Sequence, residues 1–509
     1  MSLTARVFVL LSLVFLLVTS REPPWADAHV TYDTTQALVD RGELDVHLES
    51  GPPWFYSIRN GRKYGVFPLG NVIAMVPSYL SYKALKHITA FPDKPLFAFT
   101  CHLSPSLMMA GACAIFFHLL RRRGASARWA LLLTIGLATS TLCFVYARST
   151  YSESVQTLAL MWLIERTLAQ AERPTLAGLG WLGFAAGVLF NTKLVYALLL
   201  PFVAAYLIYE QRKSIGGLLK RSPLAILVFA ELVGVAIWHN YLKTGTLSDS
   251  GYRIRDGIFS GDLIAGLYGF VLSSGKSLFL YSPPLILTIL GIGTAWRRRR
   301  AETAFFLSVI AVVMLFNAKF RHWHADYCWG PRHLVGIMPL FLLIAHPWIE
   351  EVVTRGRASL RRAALIALFS SGIAVQLLGA SIYWDTYIRI LIAVKDQTGA
   401  QGWFQENLSH GHYIPAFSPL RGQFWLLSHM VRNDSDLDRD APWKSVIRQP
   451  ANLDDGWGRL RFDWWAIDWF TPGVSSAPKA ALALLALLGT GVALSASGVR
   501  RQLKREPAQ

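Results

Sequence analysis

Residues 95–123 read PLFAFTCHLSPSLMMAGACAIFFHLLRRR, an apolar run that ends on three consecutive arginines. The part from 95 to 120 is long enough to cross a bilayer, because about 20 helical residues span roughly 30 Å of hydrocarbon. Arginines directly after such a run are typical of a cytoplasmic connection. This stretch therefore predicts a membrane helix and its direction.

The rest of the chain has the composition of a membrane protein. Of its 509 residues, 53% are hydrophobic and 16% are charged, and the mean hydropathy of +0.35 is too high for a soluble protein of this size. Similar runs predict an all-α polytopic fold with about 12 (11 to 13) transmembrane helices, at about 7–20, 95–120, 128–146, 154–170, 174–190, 194–209, 222–242, 278–296, 301–317, 331–349, 362–384 and 477–497.

The net charge of +18 is distributed unevenly along the chain. Every second connection carries a basic cluster, whereas the Asp residues all fall in the other connections. The positive-inside rule then places both termini in the cytoplasm, and we expect a multi-pass protein of the bacterial inner membrane. Because the basic charge reflects this orientation, nucleic-acid binding has no support. The basic clusters include Arg121–Arg123, Arg297–Arg300 and Arg500–Arg505.

Long outer segments at 21–94, 243–277 and 385–476 interrupt the predicted spans. We divide the chain into a membrane domain (1–384) that includes the first outer loop, a Trp-rich extracytoplasmic loop (385–476), and a last span with a basic tail (477–509). The tryptophans of the late loop suit either a membrane-interface belt or a platform on which sugars stack. They are Trp403, Trp425, Trp443, Trp457, Trp464, Trp465 and Trp469.

Two apolar segments leave the topology open. Residues 68–85 contain Asn71, Pro77 and Lys83, which favour an interfacial or re-entrant helix in the first outer loop. If that segment spanned the bilayer, a thirteen-span protein with a reversed N-terminus would place the first loop in the cytoplasm. Residues 7–20 also fit a secretory signal.

The outer segments carry a series of short motifs. In order they are WADAHVTYDTTQALVDRG (25–42), GRKYGVFPLG (61–70), YARSTYSE (146–153), NTK (191–193), SGKSLFLYSP (274–283) and WGPR (329–332). Together they resemble the GT-C superfamily of membrane glycosyltransferases, which includes protein O-mannosyltransferases and lipid A aminoarabinose transferases. The late loop matches no family.

The resemblance implies that a sugar moves, with inversion, from a polyprenyl-phosphate carrier to an acceptor glycan, glycolipid or protein. It implies a catalytic carboxylate in the first loop, for which Asp27 is the first candidate and Asp33 the second; Glu153 matches another acidic position. One carboxylate suffices, since phosphate leaves without protonation. Alternatively, these carboxylates only cap or orient a short helix that follows them and ends at Gly42, or lie in a solvated turn.

A departing lipid phosphate needs fixed cations at the outer face. Candidates at or near ends of predicted spans and in the first loop are Lys63, Lys193, Lys276 and Arg332, although long basic side chains there often only reach for lipid headgroups. Further cavity candidates are Tyr32, Tyr64, Arg148 and His324. The resemblance implies membrane lipid as a partner and no cofactor; the sequence His322-Trp323-His324-Ala325-Asp326 suits a metal, but no second cluster completes a site, and we expect none.

Other classes of protein remain open. A transporter or lipid flippase would use polar residues within the membrane, and Glu231, inside a predicted span, is the residue it would need unless it pairs with a neighbouring helix. A polysaccharide polymerase or ligase would depend on the larger late loops, and Asp27 would then have no role. A non-catalytic scaffold would tolerate changes at Asp27.

Overall fold

Helices account for most of the described chain. The computed structural model describes residues 1–47, 53–89, 91–251, 257, 259–325, 327–354, 359–398, 409–444, 446, 460–471 and 477–505. Their α-helices are α1 (Leu3–Leu17), α2 (Asp27–Arg41), α3 (Leu69–Ile88), α4 (Asp93–Cys101), α5 (Leu103–Arg122), α6 (Ala127–Ser140), α7 (Cys143–Ala147), α8 (Glu153–Glu172), α9 (Leu176–Thr192), α10 (Leu200–Glu210), α11 (Ile215–Thr244), α12 (Leu263–Val271), α13 (Leu278–Tyr281), α14 (Leu287–Arg298), α15 (Arg300–Lys319), α16 (Met338–Thr354), α17 (Ser359–Ser381), α18 (Asp385–Thr398), α19 (Ser409–Tyr413), α20 (Pro419–Arg432), α21 (Trp465–Phe470) and α22 (Pro478–Arg505). The predicted all-α class is confirmed.

The described residues include one small hairpin, in the first outer loop. Strands β1 (Tyr56–Arg59) and β2 (Arg62–Gly65) pair antiparallel, with Tyr56 opposite Gly65. Asn60 and Gly61 form the two-residue turn with φ of 50° and 73°. Such turns need two positive φ angles, which explains the Asn-Gly pair.

Most predicted spans have a helical counterpart. Six helices are long and apolar enough to cross a membrane: Asp93–Arg122, Ile215–Thr244, Arg300–Lys319, Arg332–Thr354, Leu360–Ser381 and Pro478–Arg505. Four shorter apolar helices are Leu3–Leu17, Ala127–Ser140, Leu176–Thr192 and Leu194–Glu210. The run 278–296 is interrupted by a 3-10 turn at Pro283–Ile286, since proline cannot continue a helix. The number of spans stays a prediction.

The outer surface of the bundle is apolar. On α11 and α22, Ile226 and Leu487 are 64% and 69% exposed, although these helices are hydrophobic enough to span. A water-soluble bundle would bury such side chains, whereas a bilayer solvates them. Glu231 is also exposed on α11, so the expected pairing with a neighbouring helix is wrong.

The segment 68–85 forms most of α3, a 20-residue helix that contains Pro77. One face packs on protein: Asn71 Nδ2 donates to the Thr192 carbonyl oxygen at 3.2 Å. The opposite face exposes Ile73 and Leu80. Protein on one face and exposed apolar side chains on the other suit a helix that borders lipid.

Helix α8 connects the two polar ends of the bundle. Its first residue, Glu153, lies beside Arg332, and its last residue, Glu172, pairs with Arg122 at 2.6 Å. Twenty helical residues are about 30 Å long, which matches the hydrocarbon thickness. The end with Glu153 is called the acidic end below, and the end with Arg122 is called the basic end.

The late segment 385–476 is partly helical, with α18, α19, α20 and α21 in its described residues. Helix α21 packs against α22 and α4. Trp465 N donates to the Thr19 carbonyl oxygen at 3.1 Å, directly after α1. The late segment therefore covers the acidic end and holds the chain where the first loop begins.

Candidate functional site

Arg332 lies at the centre of the acidic end, where the chain enters the helix that continues into α16. Its guanidinium donates to both Asp27 carboxylate oxygens, at 2.9 Å from Nη2 and 3.4 Å from Nη1. Such a two-point pair fixes the orientation of both planar groups. The pair joins two segments that are 305 residues apart in sequence.

Asp27 is the first residue of α2, which ends before Gly42. The preceding residue, Ala26, has φ 52° and ψ −127°, a conformation that costs energy for a residue with a Cβ atom. The helix begins one step earlier than the sequence indicated, so that Asp27 and Asp33 lie within it. The positive end of the helix dipole favours the Asp27 carboxylate.

Glu153 lies on the inner side of Arg332. Its Oε1 is 3.3 Å from Arg332 Nε, and its side chain is 4% exposed, against 21% for Asp27. Burial of a carboxylate is tolerated when a cation is beside it. Of the two carboxylates, Asp27 is the one that an incoming molecule can reach.

Two further groups border Arg332. Its guanidinium lies over the Tyr151 ring, 4.3 Å from the ring centre, and the Tyr151 hydroxyl donates to the Tyr327 carbonyl oxygen at 3.1 Å. A cation over an aromatic face is stabilised by the ring's charge distribution. Tyr151 thus orients Arg332 from one side while leaving its N–H groups to the carboxylates.

Lys193 adds a second cation, at the end of α9. Its Nζ is 3.1 Å from His333 Nδ1. Burial lowers the pKa of the Lys193 ammonium to about 8, and the nearby Glu153 carboxylate acts in the opposite direction. At neutral pH, two cations therefore face two carboxylates.

Lys276 supports the turn that carries Arg332. Its buried ammonium donates to the carbonyl oxygens of Cys328 and Gly330, at 3.1 Å and 3.3 Å. Gly330 has φ 63°, and a Cβ there would approach the Tyr281 ring within 2.8 Å. Lys276 thus lies behind the site, where it positions the backbone rather than meeting a lipid phosphate.

The other predicted residues lie in separate clusters. Asp33 is buried on another face of α2, 3.3 Å from His29, and this hydrogen bond raises the pKa of His29. Tyr32 packs edge-on against Phe97. Lys63 and Tyr64 lie on β2, with Lys63 Nζ 4.3 Å from the Tyr56 ring centre.

Arg148 and His324 also lie elsewhere. Arg148 binds the carbonyl oxygens of Val18, Ala380 and Asp463. The His324 ring stacks on His412 from the late segment, with 4.5 Å between ring centres. Asp326, the last residue of the suggested metal cluster, lies outside the described residues.

The structure thus brings together Asp27, Glu153, Lys193 and Arg332, with Lys276 behind them. The sequence analysis missed Tyr151 and His333, which border the same cluster. Both are next to recognised residues: Tyr151 lies in the motif 146–153, and His333 follows Arg332. Their positions beside charged candidates were the available signal.

The arrangement can bind an anion and accept a proton. Arg332 and Lys193 are suited to a phosphate, because guanidinium and ammonium groups form charge-assisted hydrogen bonds to its oxygens. Asp27 is suited to a hydroxyl, since a carboxylate accepts its proton. Both functions lie within one cluster of side chains.

Comparison with known proteins gives similar structures without a sequence relative. No protein-family model matches the chain, and no curated protein matches it by sequence. ArnT from Cupriavidus metallidurans bound to undecaprenyl phosphate is similar in structure, with TM-score 0.48, 14% identity and coverage of 86% of this chain and 79% of that chain. Its apo state gives TM-score 0.45 and 15% identity, covering 95% of this chain and 76% of that chain. ArnT is an aminoarabinose transferase with the GT-C fold, which agrees with the resemblance of the motifs.

Proposed function

We propose that this protein is an integral membrane glycosyltransferase that moves a sugar from a polyprenyl-phosphate donor to an acceptor on the extracytoplasmic face. The observation that carries the proposal is the position of Arg332, whose guanidinium contacts both Asp27 and Glu153. Lys193 lies near the same group. Cations for a leaving phosphate and an accessible carboxylate for a proton are what this reaction requires.

In the proposed step, the Asp27 carboxylate takes the proton of an acceptor hydroxyl. The acceptor oxygen forms a bond to the anomeric carbon while the bond from that carbon to the phosphate oxygen breaks. The lipid phosphate leaves with the bonding electron pair, and Arg332 and Lys193 stabilise its charge. Because one displacement occurs, the anomeric configuration inverts.

Arg332 couples donor binding to the basicity of Asp27. A phosphate that binds the guanidinium competes with the Asp27 carboxylate for the same N–H groups. Withdrawal of those hydrogen bonds raises the affinity of Asp27 for a proton, since they stabilise its charged form. Glu153, which is 4% exposed, keeps Arg332 in place during this exchange.

The sidedness of the proposal follows from charge. The acidic end is about 30 Å from the basic end, by the length of α8. Because basic connections remain in the cytoplasm, the acidic end faces the other side of the membrane. A transporter would instead need functional polar groups inside the membrane, and Glu231 is exposed on the outer surface of α11.

The proposal is tested by mass spectrometry of envelope glycans, glycolipids and glycoproteins from cells with and without the protein. We expect one sugar to be missing from one acceptor in cells that lack it, and to return when the wild-type gene is restored. The mass difference identifies the sugar, and the carrier of that difference identifies the acceptor. Identical glycans in both cell types would contradict the proposed function.

A labelling experiment tests the sidedness separately. The four cysteines are buried, so a membrane-impermeant maleimide should react mainly with an introduced cysteine. Trp25 is 43% exposed beside Asp27, and we expect Trp25→Cys to react in intact cells stripped of their outer layers. Arg300→Cys at the basic end is the control and should react only after the membrane is opened. The reverse result would place Asp27 in the cytoplasm.

A further inference from the structure

A cleft at the basic end is lined by charged residues from several helices. Arg123 follows α5, Arg298 and Arg299 lie at the end of α14, Glu302 lies in the first turn of α15, and His346 lies in α16. His346 is 14 positions after Arg332, which is about 20 Å along a helix. The cleft is therefore separate from the proposed transfer site.

Arg123 forms the floor of this cleft. Its side chain is 8% exposed and forms an ion pair with Glu302. Nη1 donates to the Leu343 carbonyl oxygen at 2.9 Å, and the guanidinium lies 4.8 Å from the centre of the Phe306 ring. Nε, however, is buried with no hydrogen-bond partner among the described residues. A buried N–H of a cation that lacks a partner indicates an acceptor supplied by another molecule.

The charges that line the cleft are mainly positive. Glu302 is the acidic residue among the lining groups, and it interacts with Arg123 and, at 3.8 Å, with Arg299. Arg298 pairs with Glu351 at 2.8 Å and with Glu350 at 3.7 Å. Three arginines thus face one carboxylate within the cleft, so that an anion is attracted even with Glu302 present.

The surroundings of the cleft are those of a bilayer surface. On α14, Ile289 and Leu290 are 59% and 55% exposed, one to two turns before Arg298. Trp296 is 38% exposed, and the Arg300 guanidinium lies 5.3 Å from its ring centre. An exposed tryptophan between apolar residues and arginines is typical of the depth of lipid headgroups.

We propose that this cleft binds the phosphate of an anionic phospholipid from the leaflet at the basic end. The phosphate oxygens accept hydrogen bonds from Arg123 Nε and from the guanidinium of Arg299, and the acyl chains lie against the exposed apolar side chains of α14. Basic pockets between membrane helices are suited to such headgroups. The site would link α5, α14, α15 and α16 through one bound lipid.

The test measures lipid retention by the purified full-length protein. Detergent-solubilised protein is mixed with phosphatidylglycerol or phosphatidylcholine, and bound lipid is counted by native mass spectrometry. Arg299→Gln removes a cleft arginine, and Arg300→Gln removes the same charge from the neighbouring residue, which lies outside the lining. We expect Arg299→Gln to retain phosphatidylglycerol about tenfold more weakly, and Arg300→Gln to stay within about twofold of wild type.

The controls separate a specific site from general attraction. Equal weakening by the two variants, or equal retention of both lipids by the wild type, would overturn the proposal. Competition by millimolar inorganic phosphate that Arg299→Gln abolishes would keep a phosphate site but overturn its lipid source. Arg298→Gln, at the rim and 46% exposed, should repeat the Arg299→Gln result. Unfolding midpoints of the three variants show whether each is folded.

Discussion

Two arginine–aspartate pairs lie at the acidic end, and they differ in how their hydrogen bonds are satisfied. Arg148 donates to the backbone carbonyl oxygens of Val18 and Ala380, at 2.5 Å and 2.9 Å, and to that of Asp463. The Asp463 carboxylate in turn accepts from Ser20 Oγ at 2.5 Å and from the Arg21 N–H at 3.1 Å. Backbone groups cannot leave, so this pair fastens three chain segments together.

Arg332 and Asp27 form the contrasting pair. Arg332 contacts two carboxylates and a ring, and the side chains of Arg332 and Asp27 are 15% and 21% exposed, against 4% and 5% for Arg148 and Asp463. Carboxylates can exchange a guanidinium for another partner, whereas fixed carbonyl groups cannot. The comparison teaches that an arginine shared between reachable carboxylates is suited to chemistry, and one bound by carbonyl groups is suited to structure.

The largest effect that separates the pairs is on stability. We predict that Asp463→Ala lowers stability by about 3 kcal/mol, because it leaves the buried Arg148 charge without its carboxylate. The measurement is the thermal unfolding midpoint in detergent. The control is Asp434→Ala, which breaks the pair with Arg439 in the same late segment but should shift the midpoint little, as surface pairs contribute little. Equal shifts would show that Arg148 is not a fastening.

The second effect is on transfer. Arg332→Lys keeps a positive charge between Asp27 and Glu153 but loses the two-point geometry. We predict a loss of transfer rate of about 100-fold with little change in the unfolding midpoint. Arg148→Lys is the matched substitution and should lower the midpoint while the folded protein keeps its rate. The opposite assignment of the two losses would reverse the comparison.

The third effect concerns pH. Because the pKa of Lys193 is about 8, the ammonium is charged at neutral pH and loses its proton as the pH rises through 8. We predict that KM for the lipid donor rises about tenfold per pH unit above 8, and that Lys193→Ala raises KM at pH 7 and removes this dependence. The check is donor KM from pH 6.5 to 9.5 for both proteins. An unchanged profile in Lys193→Ala would exclude Lys193 from donor binding.

The smallest effect is expected at Asp33. It is buried on another face of α2 and pairs with His29, so that Asp33→Asn should change the transfer rate less than about twofold. Rates of the purified variant at pH 7 check this prediction. A loss comparable to that of an Asp27 variant would make Asp33 the base.

The sequence predicted much of the helical framework and which residues share the acidic end. Spans and sidedness depend on apolar length and on the positions of basic residues, which are local properties of the sequence. Asp27, Glu153, Lys193 and Arg332 each lie at or beside the end of a helix, and alternation of the spans predicts their common side.

Which helix ends are neighbours depends on packing, and that part could not be predicted. Arg148 and Glu153 share one motif, yet the turn between α7 and α8 directs Arg148 toward Asp463 and Glu153 toward Arg332. Asp463 comes from a loop that matches no known pattern. The interruption of 278–296 at Pro283, by contrast, was visible in the sequence as a Pro-Pro pair.

The most direct test of the central claim, that Asp27 accepts the acceptor's proton, is the transfer rate of Asp27→Asn beside its unfolding midpoint. An amide keeps the size of the side chain and removes the base, so we predict a loss of at least about 1,000-fold in rate with a midpoint within a few degrees of wild type. A variant that is folded and transfers sugar at the wild-type rate would contradict the account.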